Sequence, residues 1–147
     1  MSILTLLPEP KLITPLNSIC TVDQHSQLQL YLDGPKDKTF SFISRKKIKC
    51  NKLDCSWIGN RLSFLNQKSL EDLFYSEMLA TSETLIRKKL PVRRIELESV
   101  DEESIAELIS FFIIEVILIC KLLEVNPFDQ PAVEEGKLLT KKFLNDI

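Results

Sequence analysis

The sequence predicts an α/β fold with a parallel sheet flanked by helices, and three patterns support this prediction. Residues 70–89 carry apolar side chains at helical spacing, of which Phe74 and Met78 are expected in the core, and close with Arg-Lys-Lys before Pro91. Residues 92–97 alternate, imperfectly, between apolar and charged side chains, as a half-buried strand does. Along the whole chain the segments follow the order β, α, β, α, β, α, α, which favours a parallel sheet with crossover helices.

The first 50 residues are predicted to contain two strands, 14–22 and 38–48, because both segments are rich in β-branched or aromatic side chains. Thr21 and Gln24 have the spacing of a capping box. A helix that carries His25 in its first turns is therefore expected to begin there. The apolar residues at the very start of the chain would either cover an open sheet edge or stay disordered.

Residues 105–123 are the most apolar part of the chain, and they are long enough for a membrane span to be considered. Glu107, Glu115 and Lys121 interrupt them, and each charge would cost about 2.5–3.5 kcal/mol near the centre of a bilayer. We therefore interpret this segment as a buried amphipathic helix, capped by residues 99–103, in which Ser99 precedes three acidic residues at the helix start.

A last helix is expected to begin near residues 129–131, because Asp is a good cap and proline suits the first turn, and to run to about residue 144. Gly136 would let the backbone of this helix approach a neighbour or a ligand closely. Residues at helical spacing form a stripe that is expected to be buried: Ala132, Gly136, Leu139 and Phe143.

The composition is that of an ordinary soluble domain, with 44% hydrophobic and 27% charged residues in a chain of 147. A net charge of −2 gives no electrostatic argument for nucleic acid, and acidic residues offset the basic run at 45–52. The cysteines at 20, 50, 55 and 120 and a single histidine are poorly spaced for zinc. Scattered cysteines without a signal peptide indicate reduced thiols and a cytoplasmic protein.

Two motifs resemble the glucose-6-phosphate isomerase family. Residues 126–137 read Asn-Pro-Phe-Asp-Gln-Pro-Ala-Val-Glu-Glu-Gly-Lys and resemble its C-terminal signature. Residues 23–35 read Asp-Gln-His-Ser-Gln-Leu-Gln-Leu-Tyr-Leu-Asp-Gly-Pro and resemble the segment with its catalytic histidine. The resemblance matches only the last part of a full-length isomerase, whose C-terminal domain is a doubly wound parallel sheet flanked by helices. Residues 14–147 are thus interpreted as an incomplete sugar-isomerase-like domain, preceded by an unmatched segment, 1–13.

The resemblance implies interconversion of glucose 6-phosphate and fructose 6-phosphate, a step of glycolysis and gluconeogenesis, through ring opening and an enediol, without metal or nucleotide. His25 and Lys137 match the family's catalytic histidine and lysine, and Gln130 matches a substrate-binding glutamine. An imidazole moves protons near neutral pH, and an ammonium stabilises negative charge that develops on the sugar. Without the resemblance, a lone histidine or an exposed helical lysine is more often a plain surface residue.

The resemblance also implies what the 147 residues lack. The family's enediol-forming glutamate, its Ser/Thr phosphate loop and a basic residue belong before the region that begins at Thr14, while Glu134 and Glu135 lie in the wrong motif to replace the base. The chain alone is therefore expected to be inactive. The expected partner is a second copy, because the family histidine acts in the neighbouring subunit's site, or a complementing N-terminal isomerase portion. The alternative is a non-catalytic α/β domain that binds a sugar phosphate or a protein partner.

Overall fold

The computed structural model describes residues 2–6, 13–55, 57, 59–129 and 131–146. The chain divides into two compact units, Met1–Ser104 and Ile105–Ile147. A 3₁₀ helix, Asn60–Leu65, accompanies nine strands and helices in the described residues: β1 (Ser2–Leu6), β2 (Ile13–Asn17), α1 (Cys20–Asp23), α2 (Leu28–Asp33), β3 (Lys38–Arg45), α3 (Leu70–Arg87), β4 (Val92–Leu97), α4 (Glu102–Leu122) and α5 (Pro131–Asn145).

The first unit is built on a four-stranded sheet in the order β2-β1-β3-β4. β3 and β4 run parallel, from the pair Phe40 and Val92 to the pair Arg45 and Leu97, and α3 connects them. This pairing, with the flanking helices, confirms the predicted α/β class with a parallel sheet. β1 is antiparallel to both β2 and β3, since the six residues between β1 and β2 are too few for the crossover that a parallel pair needs. β1 thus covers the edge of β3.

The core of the first unit lies around β3. Phe40 and Phe42 are buried on this strand, and Leu85 of α3 is buried against the same cluster. The Tyr31 ring of α2 meets Phe40 edge to face, with 5.6 Å between the ring centroids. Ser41 is also buried, so the middle of β3 is covered on both faces, as in the central strand of an α/β sheet.

The ends of α3 and α4 are fixed by side chains that reach back to the backbone. Ser69 and Asp72 form a capping box at the start of α3, with 3.1 Å between the Asp72 amide nitrogen and the Ser69 hydroxyl. At α4 the cap lies within the predicted segment 99–103, where Asp101 rather than Ser99 accepts from the Ser104 backbone N–H, at 2.8 Å. Ser99 instead donates to the Asp101 carboxylate and steadies the capping residue.

Three cations of the basic run that starts at the end of β3 pair with acidic side chains. Arg45 pairs with Glu71 at 2.9 Å, and Lys46 pairs with Glu98 at 2.8 Å. Lys47 pairs with the cap residue Asp72 at 2.5 Å, and its ammonium lies 5.6 Å from the centroid of the Tyr75 ring. These charges are thus engaged within the unit, which argues against the nucleic-acid patch that a basic run can indicate.

Asp72→Asn is expected to remove a pH-dependent part of the stability. The hydrogen bond from Lys47, followed by those from Ser69, lowers the pKa of Asp72 well below its ordinary value. Because the unfolded carboxyl titrates near pH ~3.9, the unfolded chain takes up the proton first, and this stabilisation disappears as the pH falls from about 5 towards the lower folded pKa. At neutral pH the wild type should unfold at a higher urea concentration than Asp72→Asn. This difference between the two midpoints should shrink steadily as the pH is lowered.

The matched control is the same substitution in a Lys47→Gln background. Since Lys47 is the largest single cause of the lowered pKa, the pH dependence should be smaller in that background, and the part that remains is due to the hydrogen bonds from Ser69. A difference between wild type and Asp72→Asn that stays constant between about pH 5 and pH 2 would contradict this role of the pair.

The second unit departs from two expectations about burial. α4 was expected to be a buried helix, yet none of its described residues is buried, and the predicted α5 stripe is exposed at Leu139 and Phe143. Periodicity identifies an apolar face but does not supply the surface that covers it. Among the described residues, no helix is both long enough and apolar enough to cross a membrane.

Two other predictions, about the extent of a strand and the burial of one side chain, differ from the structure. Residues 14–22 do not form one strand, since β2 ends at Asn17 and α1 begins at Cys20. Phe74 of α3 was expected in the core but is half exposed, whereas Met78, one turn later, packs against the core cluster as expected. The difference follows from the narrow contact face of α3, which includes the buried residues Thr81 and Leu85.

Candidate functional site

His25 lies in a turn between two short helices. The predicted capping box at Thr21 and Gln24 is not formed, because the four-residue helix α1 already begins at Cys20 and ends at Asp23. The carboxylate of Asp23 instead accepts from the Ile19 backbone N–H at 2.6 Å. His25 therefore follows a closed helical turn rather than opening a longer helix, and its side chain is exposed.

The turn that carries His25 is anchored to the core on both sides. Gln24 donates through Nε2 to the hydroxyl of Thr81, a buried residue of α3, at 2.8 Å. On the other side, the Tyr31 hydroxyl donates to the side-chain oxygen of Gln27. Burial raises the pKa of Tyr31, and the nearby charge of Asp23 adds to the effect. Tyr31 thus stays a neutral donor, and the imidazole is presented to solvent from a fixed support.

Lys137 lies on the exposed surface of α5. Its ammonium pairs with Glu134, one turn earlier, at 2.6 Å, and both side chains are well exposed. An exposed i,i+3 pair contributes little stability, so it can open readily when another anion is offered. The lysine is therefore available for a ligand, although Glu134 competes for it.

The remaining candidate residues of the isomerase-like motif are only partly described. Gln130 lies outside the described residues. Gly136 is described, and a Cβ built on it would meet nothing within 4 Å, so the close approach expected there is absent from the described residues around it. Upstream, the Asn126 side chain accepts from the Phe128 backbone N–H at 3.0 Å and shapes the turn before α5.

The two predicted catalytic residues belong to different units, His25 to Met1–Ser104 and Lys137 to Ile105–Ile147. Each side chain is exposed within its own unit. Their meeting at one site, in one chain or across two chains, therefore stays a prediction.

The first unit also holds a cavity of about 310 Å³ at the carboxyl end of β3, which the sequence patterns did not predict. Its lining combines apolar side chains with the Arg45 and Glu71 ion pair, and it includes Thr21, from the segment that leads to His25. The imidazole itself is not part of its lining. One signal in the sequence was available, because a charged residue that ends a parallel strand falls where α/β folds bind ligands.

The chain is similar in sequence to proteins named glucose-6-phosphate isomerase. No protein-family model matches the sequence. The glucose-6-phosphate isomerase of Campylobacter jejuni is 36% identical over 134 residues, which are 90% of this chain and 33% of that protein. A probable glucose-6-phosphate isomerase of Haloquadratum walsbyi is 35% identical over 134 residues, 90% of this chain and 31% of that protein.

A solved structure shares the fold. The crystal structure of a hypothetical protein from Thermus thermophilus matches with a TM-score of 0.72 and 31% identity, over 84% of this chain and 30% of that one. The sequence relatives and the solved structure are thus all about three times as long as the region that they share with this chain. The chain is similar to a partial, C-terminal-type region of these glucose-6-phosphate isomerases and spans about 30% of the length of these relatives.

Proposed function

We propose that the chain supplies the C-terminal part of a glucose-6-phosphate isomerase, which interconverts glucose 6-phosphate and fructose 6-phosphate. The observation that carries the proposal is the match to proteins of that name over 90% of the chain. Residues 14–147 would form its incomplete sugar-isomerase-like domain.

His25 would move the proton that opens the sugar ring. An imidazole has the proton affinity for this task near neutral pH, and general acid–base catalysis of this kind is worth about 10²- to 10⁴-fold in rate. Two features of the first unit support the role. The side chain is exposed, so a substrate can reach it, and hydrogen bonds of Gln24 and Gln27 fix the turn around it. A fixed support matters because a small displacement of a catalytic group lowers the rate strongly.

Lys137 would stabilise negative charge on the sugar as the ring opens and the enediol forms. Its present partner, Glu134, is held only by an exposed ion pair, and an anionic substrate would compete for the ammonium. Gln130 would hydrogen-bond the substrate. The reaction moves protons only, so the proposal invokes neither a metal nor a nucleotide.

The base that transfers the proton between C1 and C2 would come from outside these 147 residues. The chain spans about a third of its relatives' length, so a complementing N-terminal isomerase portion is the proposed partner. Pairing of two such assemblies would let His25 of one serve the site of the other. The setting would be the cytoplasm.

A second candidate is a non-catalytic α/β domain that kept the fold. One observation favours it: His25, the predicted proton-transfer group, does not line the cavity at the end of β3. The two candidates differ in activity once the complementing portion is present.

The purified 147-residue chain is expected to show little or no isomerase activity by itself. Proton transfer between C1 and C2 has no agent when the base is absent, so even a high concentration of the chain should leave fructose 6-phosphate formation near background. A coupled assay that oxidises the product continuously measures this. A rate well above background that His25→Ala abolishes would show that the chain is complete as an enzyme and would contradict the proposal.

A further inference from the structure

The second unit has an apolar groove, which we call the α4 groove. It encloses about 480 Å³, and every residue along it is apolar. One wall is a single face of α4, where the apolar residues recur at spacings of three and four, and the other is the Asn126 turn, with Phe128 at its tip. The lining includes Ile109, Phe112, Val116, Ile117, Pro127 and Phe128.

The apolar side chains that line the α4 groove are unusually exposed to solvent. Ile109 is 55% exposed, Val116 is 53% exposed and Phe128 is 81% exposed. Single exposed apolar side chains are common, but a contiguous apolar groove of this kind marks an interaction surface. Because no charged residue lines it, its occupant must be apolar as well.

The opposite side of α4 is also apolar. Phe111, Ile114 and Leu118 lie about half a turn away from Val116, and each is about half exposed. A helix that is apolar on opposed faces is typically buried within a larger body. A short peptide or one symmetric contact with a second copy would cover only one of the two faces, whereas a single folded chain can reach both, which favours a folded occupant.

We propose that the α4 groove and the opposed face of α4 are the docking surface for the complementing N-terminal isomerase portion. This inference rests on the proposed function. The relatives that match the chain carry about two thirds of their length outside the matched region, which is enough chain to cover both faces. The partner's contribution is an apolar segment that fills the groove, and docking through it would bring the missing base to the same assembly.

Binding can be measured with the full chain and a defined probe. The probe is the part of the Campylobacter jejuni relative that the match does not cover, produced as a separate chain. Isothermal titration calorimetry should detect a complex with the wild type. Val116→Asp places a charge in the groove and should weaken binding at least tenfold. Thr140→Asp adds the same charge to an exposed position of α5 outside the groove and should change the affinity less than twofold.

A second variant guards against loss of structure. Phe128 lies in a turn and is largely exposed, so Phe128→Ser should leave the helical circular dichroism unchanged while it weakens binding. The absence of a complex with the wild type would overturn the proposal. Self-association that Val116→Asp abolishes, with undiminished binding of the probe, would assign the groove to a second copy and would also overturn it.

Activity separates this inference from the proposed function. A complex that forms through the groove but does not isomerise glucose 6-phosphate would overturn the function and leave the docking surface standing. An active complex whose affinity is the same with Val116→Asp and Phe128→Ser as with the wild type would support the function and refute the docking surface.

Discussion

His25→Ala is expected to lower the isomerisation rate of the chain, assembled with its complementing portion, by about 10²- to 10⁴-fold. The substitution removes the group that moves protons during ring opening, and no neighbour in the turn can replace an imidazole. The effect should fall on kcat/KM, because the lost stabilisation belongs to the transition state. A coupled assay with glucose 6-phosphate measures it.

Ser26→Ala is the matched control for His25→Ala. Ser26 is exposed in the same turn and directly follows the histidine, so its truncation should leave the rate nearly unchanged. Both variants should keep the wild-type unfolding midpoint, since the turn is held by Gln24 and Gln27 rather than by either side chain. Equal loss of activity in the two variants would mean that the turn as a whole matters and that the imidazole has no special role.

Phe40→Ala is expected to lower the free energy of unfolding by about 3–5 kcal/mol, the range for a large buried aromatic residue. Phe40 is fully buried in β3, pairs in register with Val92 of β4 and contacts the Tyr31 ring edge to face. Its removal leaves a cavity where the sheet, α2 and α3 meet. Because native domains are stable by only about 5–15 kcal/mol, much of the first unit's stability depends on this side chain.

Phe64→Ala serves as the comparison for Phe40→Ala. Phe64 has the same chemistry but is 66% exposed on the 3₁₀ helix, so its truncation should cost less than about 1 kcal/mol. Urea unfolding followed by circular dichroism measures both values. Similar losses at the two positions would place the core elsewhere than around β3.

Local chemistry explains why most elements could be predicted from the sequence. α3, β4 and α5 lie within about two residues of their predicted bounds, because Pro91 and Pro131 mark their ends and the periodicity between those marks is strong. The prediction of a helix that opens with a capping box at Thr21 and Gln24 was wrong, and local contacts also explain this. The Asp23 carboxylate closes a helical turn on Ile19, and this contact competes with the capping box that Thr21 and Gln24 would form.

Burial was predicted less well than secondary structure. The apolar pattern along α4 was predicted correctly. The surface that would cover it is not encoded within α4 itself, so the prediction of a buried helix was wrong for this chain. The same holds for the α5 stripe around Leu139 and Phe143. β1 could not be predicted from a resemblance, because the resemblance begins only at Thr14, after that strand.

The spacing of motif residues in the sequence identifies candidate site residues but not the distances between them in the fold. The motifs identified His25, Lys137 and Gln130 as residues to test, and the structure describes the first two on exposed surfaces of separate units. Spacing carries no information on the distance between groups so far apart in the chain. The anchor of Gln24 on Thr81 was also missed, since 57 positions separate these residues and only the packing of α1 on α3 brings them together.

The central claim is that these 147 residues act as an isomerase only together with the portion that their relatives carry outside the matched region. The most direct test mixes a fixed amount of that portion from the Campylobacter jejuni relative with increasing amounts of the chain and follows fructose 6-phosphate formation. Activity should be absent from either component alone and should rise to a plateau at equimolar mixing. A complementing portion that is fully active alone, or a folded equimolar complex that never exceeds background, would contradict the claim.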